Sequence, residues 1–129
     1  ALIQKTNPMQ QFRQLNLSQL SEFTGNNPDL MIELLQSFKT EANLLFADLL
    51  QLFYKPDTEK ARFLVHKLRG MSSYVGLEKV FQRCSALEER LIQNGLNENT
   101  LHSLKELKQE LISALEELDY AALTLQTKR

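Results

Sequence analysis

His66 is the residue of this sequence whose neighbouring residues best suit a chemical reaction at its side chain. Arg69 follows three positions later and Gly70 four positions later, so in a helix these three positions lie along one face. A solvent-exposed imidazole is largely neutral at cellular pH, which leaves one ring nitrogen with a lone pair that can attack an electrophile such as phosphorus. A nearby arginine can offset the negative charge of a transferred phosphoryl group. The spacing therefore favours phosphoryl transfer through His66.

Gly70 falls inside a predicted helix, whereas Gly25, Gly76 and Gly95 stand where predicted helices stop. A glycine within a helix costs about 1 kcal/mol relative to alanine, so its presence invites a reason beyond stability. One turn after His66, it removes a side chain that would crowd the imidazole. We therefore expect a partner's backbone or active site to approach His66 over Gly70.

The same polar side of the helix carries further candidates for contact with phosphate or a partner. Lys67, next to His66, could add positive charge beside a phosphoryl group. Phe63, one turn earlier, would offer an apolar contact on an otherwise polar face. Arg62 and Ser73 complete the predicted docking surface. Each is an ordinary surface residue when taken singly, so the hypothesis depends on their combination.

The other reactive side chains have simpler interpretations. His102 and Cys84 are far apart in the sequence, and a zinc site needs more protein ligands than these two supply. Cys84 lies on an apolar stripe and is predicted to pack as a small hydrophobic residue. As the single cysteine, it excludes an internal disulfide and fits a reducing compartment. Glu88 and Glu89 are predicted to be a solvated helix face and not an acid–base pair.

Helices must hold these residues, because apolar positions recur every three or four residues and no strand is predicted. The predicted helices cover about residues 18–24, 28–53, 57–76, 77–94 and 97–125. Their predicted N-caps are Ser18, Asn27, Asp57 and either Asn97 or Asn99, and their predicted stops are Gly25, Lys55-Pro56, Gly76 and Asn94-Gly95, the last as a left-handed C-cap. Four long amphipathic helices joined by short turns favour an all-α, up-and-down antiparallel four-helix bundle with a short additional N-terminal helix.

Length and composition are consistent with a single domain. The chain has 129 residues, of which 43% are hydrophobic, enough for a core without metal or disulfide support. Residues 1–16, which include four Gln, two Asn and Pro8, are predicted to be a linker or flexible arm. Residues 17–125 are the predicted bundle domain, and residues 126–129 a C-terminal tail.

Charge and hydropathy argue against several classes of function. With 15 Lys+Arg against 16 Asp+Glu and a net charge of −1, the chain lacks the positive surplus of a nucleic-acid binder. Polar residues interrupt every apolar run before it reaches the length of a membrane span, so we expect a soluble fragment without direct membrane contact. There is no Gly-rich nucleotide loop and no carboxylate cluster in the sequence around His66. We therefore expect no cofactor and no ATP or metal site of its own.

The stretch 66–76, His-Lys-Leu-Arg-Gly-Met-Ser-Ser-Tyr-Val-Gly, resembles the signature of histidine-containing phosphotransfer (HPt) domains. That signature runs His-x-Leu-Lys-Gly-Ser-Ser-x-x-x-Gly with some latitude. The likeness extends over about residues 17–125 and includes Asn-Pro-Asp-Leu at the start of the second helix and Cys-x-x-Leu-Glu at positions 84–88.

The resemblance implies a four-helix bundle whose histidine accepts a phosphoryl group from a receiver-domain aspartate and passes it to another receiver-domain aspartate. His66 would be the phosphoacceptor, Arg69 would stand where the family usually has Lys, and Gly70 would let the receiver approach. The receivers would supply the aspartate and Mg²⁺, so the chain would be a phosphoryl carrier and not a kinase. Two departures from the signature are Arg69, which is planar and bulkier than Lys, and Met71, which is predicted to fill a gap at the edge of the core.

The resemblance also implies two-component signal transduction in the cytoplasm. The chain would be the C-terminal part of a hybrid sensor histidine kinase, and that parent protein could be anchored in the inner membrane. Two functions of other classes are alternatives. One is a non-phosphorylated helical adaptor that binds a receiver or a partner helix, and the other is a metal-dependent helical enzyme.

Overall fold

The computed structural model of the protein describes residues 12–127, which form five α-helices. They are α1 (Leu17–Thr24), α2 (Pro28–Gln51), α3 (Thr58–Val75), α4 (Glu78–Asn94) and α5 (Glu98–Gln126). Within this range the one β feature is an isolated antiparallel bridge between Leu15 and Leu77. No helix between residues 12 and 127 is long and apolar enough to cross a membrane. The predicted all-α class is confirmed, and each predicted helix is present.

The start of α1 differs from the prediction. Asn16 is the N-cap, because its side-chain oxygen accepts a hydrogen bond from the backbone N–H of Gln19 at 3.1 Å. Ser18, the predicted cap, lies within the first helical turn instead. The helix ends as predicted at Gly25, whose φ of 66° places it in the left-handed region that a residue without a Cβ adopts without strain.

Side-chain caps set the starts of α2, α3 and α5. Asn27 and Asp57 cap α2 and α3 as predicted, each accepting from a backbone N–H in the first turn. Of the two candidates for α5, Asn97 is the cap, and it forms a reciprocal capping box with Thr100. Helix α4 has no hydrogen bond from the side chain of its own N-cap residue, Leu77.

The end of α4 corrects one detail of the prediction. The helix stops before Gly95 as expected, but Gly95 has φ 71° and ψ −170°, which is not the left-handed helical conformation. This region of backbone space is almost restricted to glycine. Gly95 is therefore the C-cap of α4, and its N–H donates to the Leu91 carbonyl, but its conformation is not the predicted left-handed one.

The helices pack around one apolar core. Helix α3 packs against α2 and α4, α5 also packs against α2 and α4, and α1 contacts α2 and α3. The largest fully buried side chains include Leu20, Phe38, Leu68, Leu91 and Leu111. Met71 is 7% exposed, so it fills the edge of the core as predicted. The result is a helical bundle in which α3 is buried along one side only.

Part of the predicted N-terminal arm packs on this bundle. Residues 1–11 and 128–129 lie outside the described residues. Leu15 is only 2% exposed and Gln14 only 6%, so residues 12–16 belong to the packed structure and are not a loose linker. At the other end, α5 continues through Gln126, where the predicted tail begins. The boundaries of the domain otherwise stay predictions.

Candidate functional site

Helix α3 presents His66 to solvent because its apolar residues occupy the opposite side. Ala61, Leu64, Val65 and Leu68 are buried, and at about 3.6 residues per turn they leave His66 on the outer face. The His66 side chain is 67% exposed. The exposure predicted for this imidazole is confirmed.

One nitrogen of the His66 ring is engaged by a carboxylate on the neighbouring helix. The Nδ1 atom lies 2.7 Å from Oε2 of Glu88 on α4. An ionised carboxylate only accepts hydrogen bonds, so the hydrogen of the neutral ring is assigned to Nδ1. The Nε2 lone pair then lies on the far side of the ring, on a side chain open to water. This is the tautomer in which Nε2 is the nucleophile.

Glu88 also holds Arg69, so the two residues of α3 meet on one carboxylate. Its Oε1 atom lies 3.3 Å from Nη1 of Arg69. The Arg69 Nε–H donates to the hydroxyl of Ser85 at 3.1 Å, and the guanidinium lies 5.4 Å from the centre of the Phe81 ring, within the range of a cation–π contact. Three groups of α4 therefore fix the position of Arg69 beside His66.

The prediction that Glu88 is merely a solvated residue is wrong. Its side chain is only 18% exposed, because α4 packs closely against α3 and turns this residue toward His66. The helical pattern of α4 contains a hint of this position, since Glu88 directly follows the buried Leu87 and so borders the apolar stripe. Which residue of α3 it meets depends on how the two helices are aligned, and a single sequence does not contain that alignment.

Lys67 and Arg62 are not gathered around His66 by ion pairs. Lys67 reaches toward α2, where its Nζ atom lies 3.5 Å from Oε2 of Glu41. Arg62 pairs with Glu59 on its own helix at 2.9 Å. Both pairs are exposed, and such pairs contribute little to stability. Of the predicted basic residues, Arg69 is the one that shares a partner with His66.

The surroundings of Gly70 are open, as the sequence predicts. Apart from its chain neighbours and the adjacent backbone of its own helix, a Cβ atom built at Gly70 would meet no heavy atom within 4 Å. The hydroxyl of Ser73 donates to the Gly70 carbonyl of the same helix at 2.7 Å. Phe63 is 64% exposed. The outer side of α3 therefore has an apolar residue and an empty position near His66.

Two further aromatic residues, which the sequence reading did not select, extend this surface. Phe23 on α1 stacks on Tyr74 of α3, with ring centres 5.8 Å apart and an interplanar angle of 26°, and both side chains are exposed. Phe63, Gly70 and Tyr74 are spaced by seven and four residues, which places them on one side of the helix. We call the surface made by Phe23, Phe63, Gly70 and Tyr74 the aromatic face. Tyr74 was identifiable from its spacing, but Phe23 requires the packing of α1 on α3.

The remaining reactive residues lie apart from this site. His102 is exposed and lies 3.8 Å from Glu106 on its own helix. Across residues 12–127, no three His, Cys, Asp or Glu side chains are grouped so that they could hold a metal ion. Cys84 is fully buried, and its burial, aided by the charge of Glu88 and opposed by that of Arg69, raises the pKa of the thiol to about 12. The Cys84 thiol is therefore a core group, as predicted, and not a nucleophile.

Comparison with known proteins identifies the family. The family described as Hpt domain matches residues 33–120, a range that includes His66, all of α3 and α4, and most of α2 and α5. Searches of curated proteins and of solved structures gave no match to this chain. Hpt domains are phosphocarriers, not enzymes, and they interact with receiver domains in phosphorelays. Since the match spans well over half of its length, the chain belongs to the Hpt domain family.

Proposed function

We propose that this protein carries a phosphoryl group on Nε2 of His66, accepting it from an aspartyl phosphate of one receiver domain and passing it to an aspartate of another. The Nε2 lone pair attacks phosphorus, the bond from phosphorus to the aspartate oxygen breaks, and the aspartate leaves as a carboxylate. The reverse reaction, with a second receiver, returns the histidine to its starting state. The single observation that carries this proposal is the exposed His66 ring whose Nδ1 is held by Glu88.

Glu88 has a defined part in this reaction. When Nε2 bonds to phosphorus, the ring retains its Nδ1 hydrogen and gains positive charge. A carboxylate 2.7 Å from Nδ1 stabilises that charge and is already in place before the reaction, so no reorganisation is needed. Glu88 is thus a positioning residue: it fixes the orientation and the tautomer of the ring, and it stabilises the positive charge that develops there.

Arg69 is the positively charged side chain that shares a partner, Glu88, with His66. Phosphoryl transfer depends on positioning and on neutralising the charge of the moving group. The Arg69 side chain is 39% exposed, so a phosphoryl group on His66 can compete with Glu88 for its guanidinium. Lys67 remains a second candidate for this role, but it must first leave Glu41.

The aromatic face is the docking surface in this proposal. Phe63 and the Phe23–Tyr74 pair offer exposed apolar area on both sides of Gly70, and a receiver could approach His66 over the empty position there. The receiver supplies the aspartate and the Mg²⁺ that phosphoryl transfer requires, together with its acidic pocket. Arg62 and Ser73 border the same surface and are proposed as its polar rim.

Three finer expectations also belong to this proposal. The short connections between α2, α3, α4 and α5, and the packing of each on two neighbours, support the up-and-down antiparallel arrangement. The origin of the chain in a hybrid sensor histidine kinase is proposed from the resemblance alone. A cytoplasmic location follows from that origin.

The test is transfer from a receiver domain that has been charged with acetyl phosphate. The wild-type chain is expected to become labelled and His66→Gln to remain unlabelled, whereas His102→Gln, the matched control, is labelled as fully as wild type. A Gly70→Glu variant is expected to fold, since the added Cβ meets no atom of another helix within 4 Å, and to accept phosphate at least about tenfold more slowly, because its side chain obstructs the approach. Equal labelling of wild type and His66→Gln would disprove the proposal.

A further inference from the structure

Residues 12–16 are held on the bundle by two carboxylates of α5. The Glu110 carboxylate is 7% exposed and accepts hydrogen bonds from Arg13 and from Gln14. Glu117 accepts the backbone N–H groups of Gln14 and Leu15 at 3.2 and 3.0 Å with a single oxygen. These contacts satisfy backbone groups that a loose arm would leave to water. We call residues 12–16 the latch.

The latch supplies α4 with the cap that its own sequence lacks. Leu77, the N-cap residue, has no side-chain oxygen, and the backbone N–H of Val80 instead donates to Oε1 of Gln14 at 3.3 Å. The same Gln14 side chain donates to Glu110 through Nε2 at 2.7 Å. Gln14 therefore uses both ends of its side-chain amide to join α4 to α5.

Asn16 connects the latch to α1. Its backbone N–H donates to the carbonyl of Gly76 at 2.8 Å, and its side chain caps α1 through the N–H of Gln19. A Cβ at position 76 would lie only 2.6 Å from the Asn16 carbonyl oxygen, and Gly76 has a φ of +79°. Only glycine permits this close approach. The direction in which α1 leaves the latch is thus fixed against the end of α3.

Helix α1, in turn, places one half of the aromatic pair. Gln19 donates to the carbonyl of Ser73 on α3, and near the other end of α1 Phe23 stacks on Tyr74. The helix has only eight residues, too few to be stable without tertiary support. Its position therefore depends on tertiary contacts, which are those of the latch at its start, of α3 along its length, and of α2 and the core into which Leu20 is buried.

We propose that the latch controls receiver binding: while it is docked, α1 holds Phe23 against Tyr74 and the aromatic face is complete, and when it detaches, Phe23 is withdrawn and the face binds receivers less tightly. This inference rests on the proposed docking function of the aromatic face. It concerns affinity for the partner and not the reactivity of His66, because the hydrogen bonds that hold His66 and Arg69 come from Glu88 and Ser85 in the middle of α4.

The decisive experiment is a double-mutant cycle on receiver binding, using the receiver that labels the wild-type chain. Leu15→Ala releases the latch by truncating its buried anchor, which is 2% exposed, and Phe23→Ala removes the effector side chain. Each variant is expected to raise the Kd about threefold to tenfold, the value of one aromatic contact. The double variant is expected to bind no more weakly than Phe23→Ala alone, because the side chain whose position the latch controls is already absent in Phe23→Ala.

Controls separate this effect from a general loss of stability. Leu104→Ala truncates an equally buried leucine in the second turn of α5, which precedes the residues that hold the latch, and should leave the Kd unchanged. Glu117→Ala, which removes the acceptor of two latch N–H groups, should reproduce Leu15→Ala. Helix content measured by circular dichroism verifies that each variant is folded.

Two outcomes would contradict the proposal that the latch controls receiver binding. One is additivity of the Leu15→Ala and Phe23→Ala effects on Kd, and the other is an unchanged Kd in folded Leu15→Ala. Labelling of His66 by phosphoramidate, a small phosphoryl donor that needs no docking, is expected to be the same in all these variants. Loss of the latch effect with intact His66 labelling would count against the latch alone, whereas absence of labelling on wild-type His66 would count against the proposed function.

Discussion

Glu88 on α4 and Glu110 on α5 are two carboxylates with similar partners and different degrees of enclosure. Glu110 is 7% exposed and accepts from two arginines, Arg13 and Arg83. Glu88 is 18% exposed and engages one arginine and His66, whose ring remains 67% exposed. Both arginines of Glu110 can only donate hydrogen bonds, so that carboxylate holds chain segments together. The His66 ring bound by Glu88 has a second nitrogen on its exposed side, so there the carboxylate orients a nucleophile.

The electrostatics of Glu110 follow from this enclosure. Burial raises the pKa of its carboxyl group, but the hydrogen bonds and charges of Arg13 and Arg83 outweigh burial, and the net result is a pKa below the usual value. Glu110 is therefore ionised and paired at neutral pH. Its role is structural, because it joins the latch and α4 to α5.

Removal of Glu110 is expected to have the largest effect on stability. Glu110→Ala leaves Gln14 and both arginines without their common acceptor and should lower the free energy of unfolding by about 2 kcal/mol. Urea denaturation measures this change. Glu116→Ala, which truncates an exposed glutamate on the same helix, should change stability by no more than about 0.5 kcal/mol. If Glu110→Ala were as stable as this control, the buried carboxylate would not stabilise the fold.

Removal of Glu88 should affect the rate of transfer more than stability. Glu88→Ala frees the imidazole to adopt either tautomer and removes the charge facing Nδ1, so we expect about a tenfold slower phosphorylation of His66. Glu88→Gln retains an oxygen that can accept from Nδ1 and should recover part of the rate. The ¹⁵N chemical shifts of the ring report the tautomer directly. Glu89→Ala, which truncates the exposed glutamate that follows Glu88 on α4, is the control, and a loss of rate there as large as in Glu88→Ala would contradict the assignment.

The smallest expected effect is the pH dependence of stability that Glu110 contributes. Its pKa is lower in the folded protein than in the unfolded chain, so the unfolded chain binds more protons in the acid range. This contribution is complete above the usual carboxyl pKa and is lost as the pH falls through the folded value. The stability difference between wild type and Glu110→Gln should therefore shrink on acidification below about pH 4. A difference independent of pH would mean that the charge of Glu110 does not matter.

The contrast also shows which parts of this structure a sequence can predict. Caps such as Asn27 and Asp57, and the outward position of His66, follow from local pattern, because they depend on residues within one or two turns. Glu88 could not be paired with His66 beforehand, since the two lie 22 positions apart and meet through the packing of two helices. The latch was missed for a similar reason. Gln14 and Asn16 look like linker residues until α4, α5 and Gly76 supply their partners.

The buried thiol of Cys84 has a practical consequence for studying the protein. It is the chain's single cysteine, and with a pKa of about 12 in the core it meets a thiol reagent only when the bundle opens. Its rate of alkylation therefore reports how often that opening occurs under native conditions. In a Tyr54→Cys variant the new thiol, at a position where Tyr54 is 90% exposed, would react at once, so a fluorophore or spin label could be attached there without first removing Cys84.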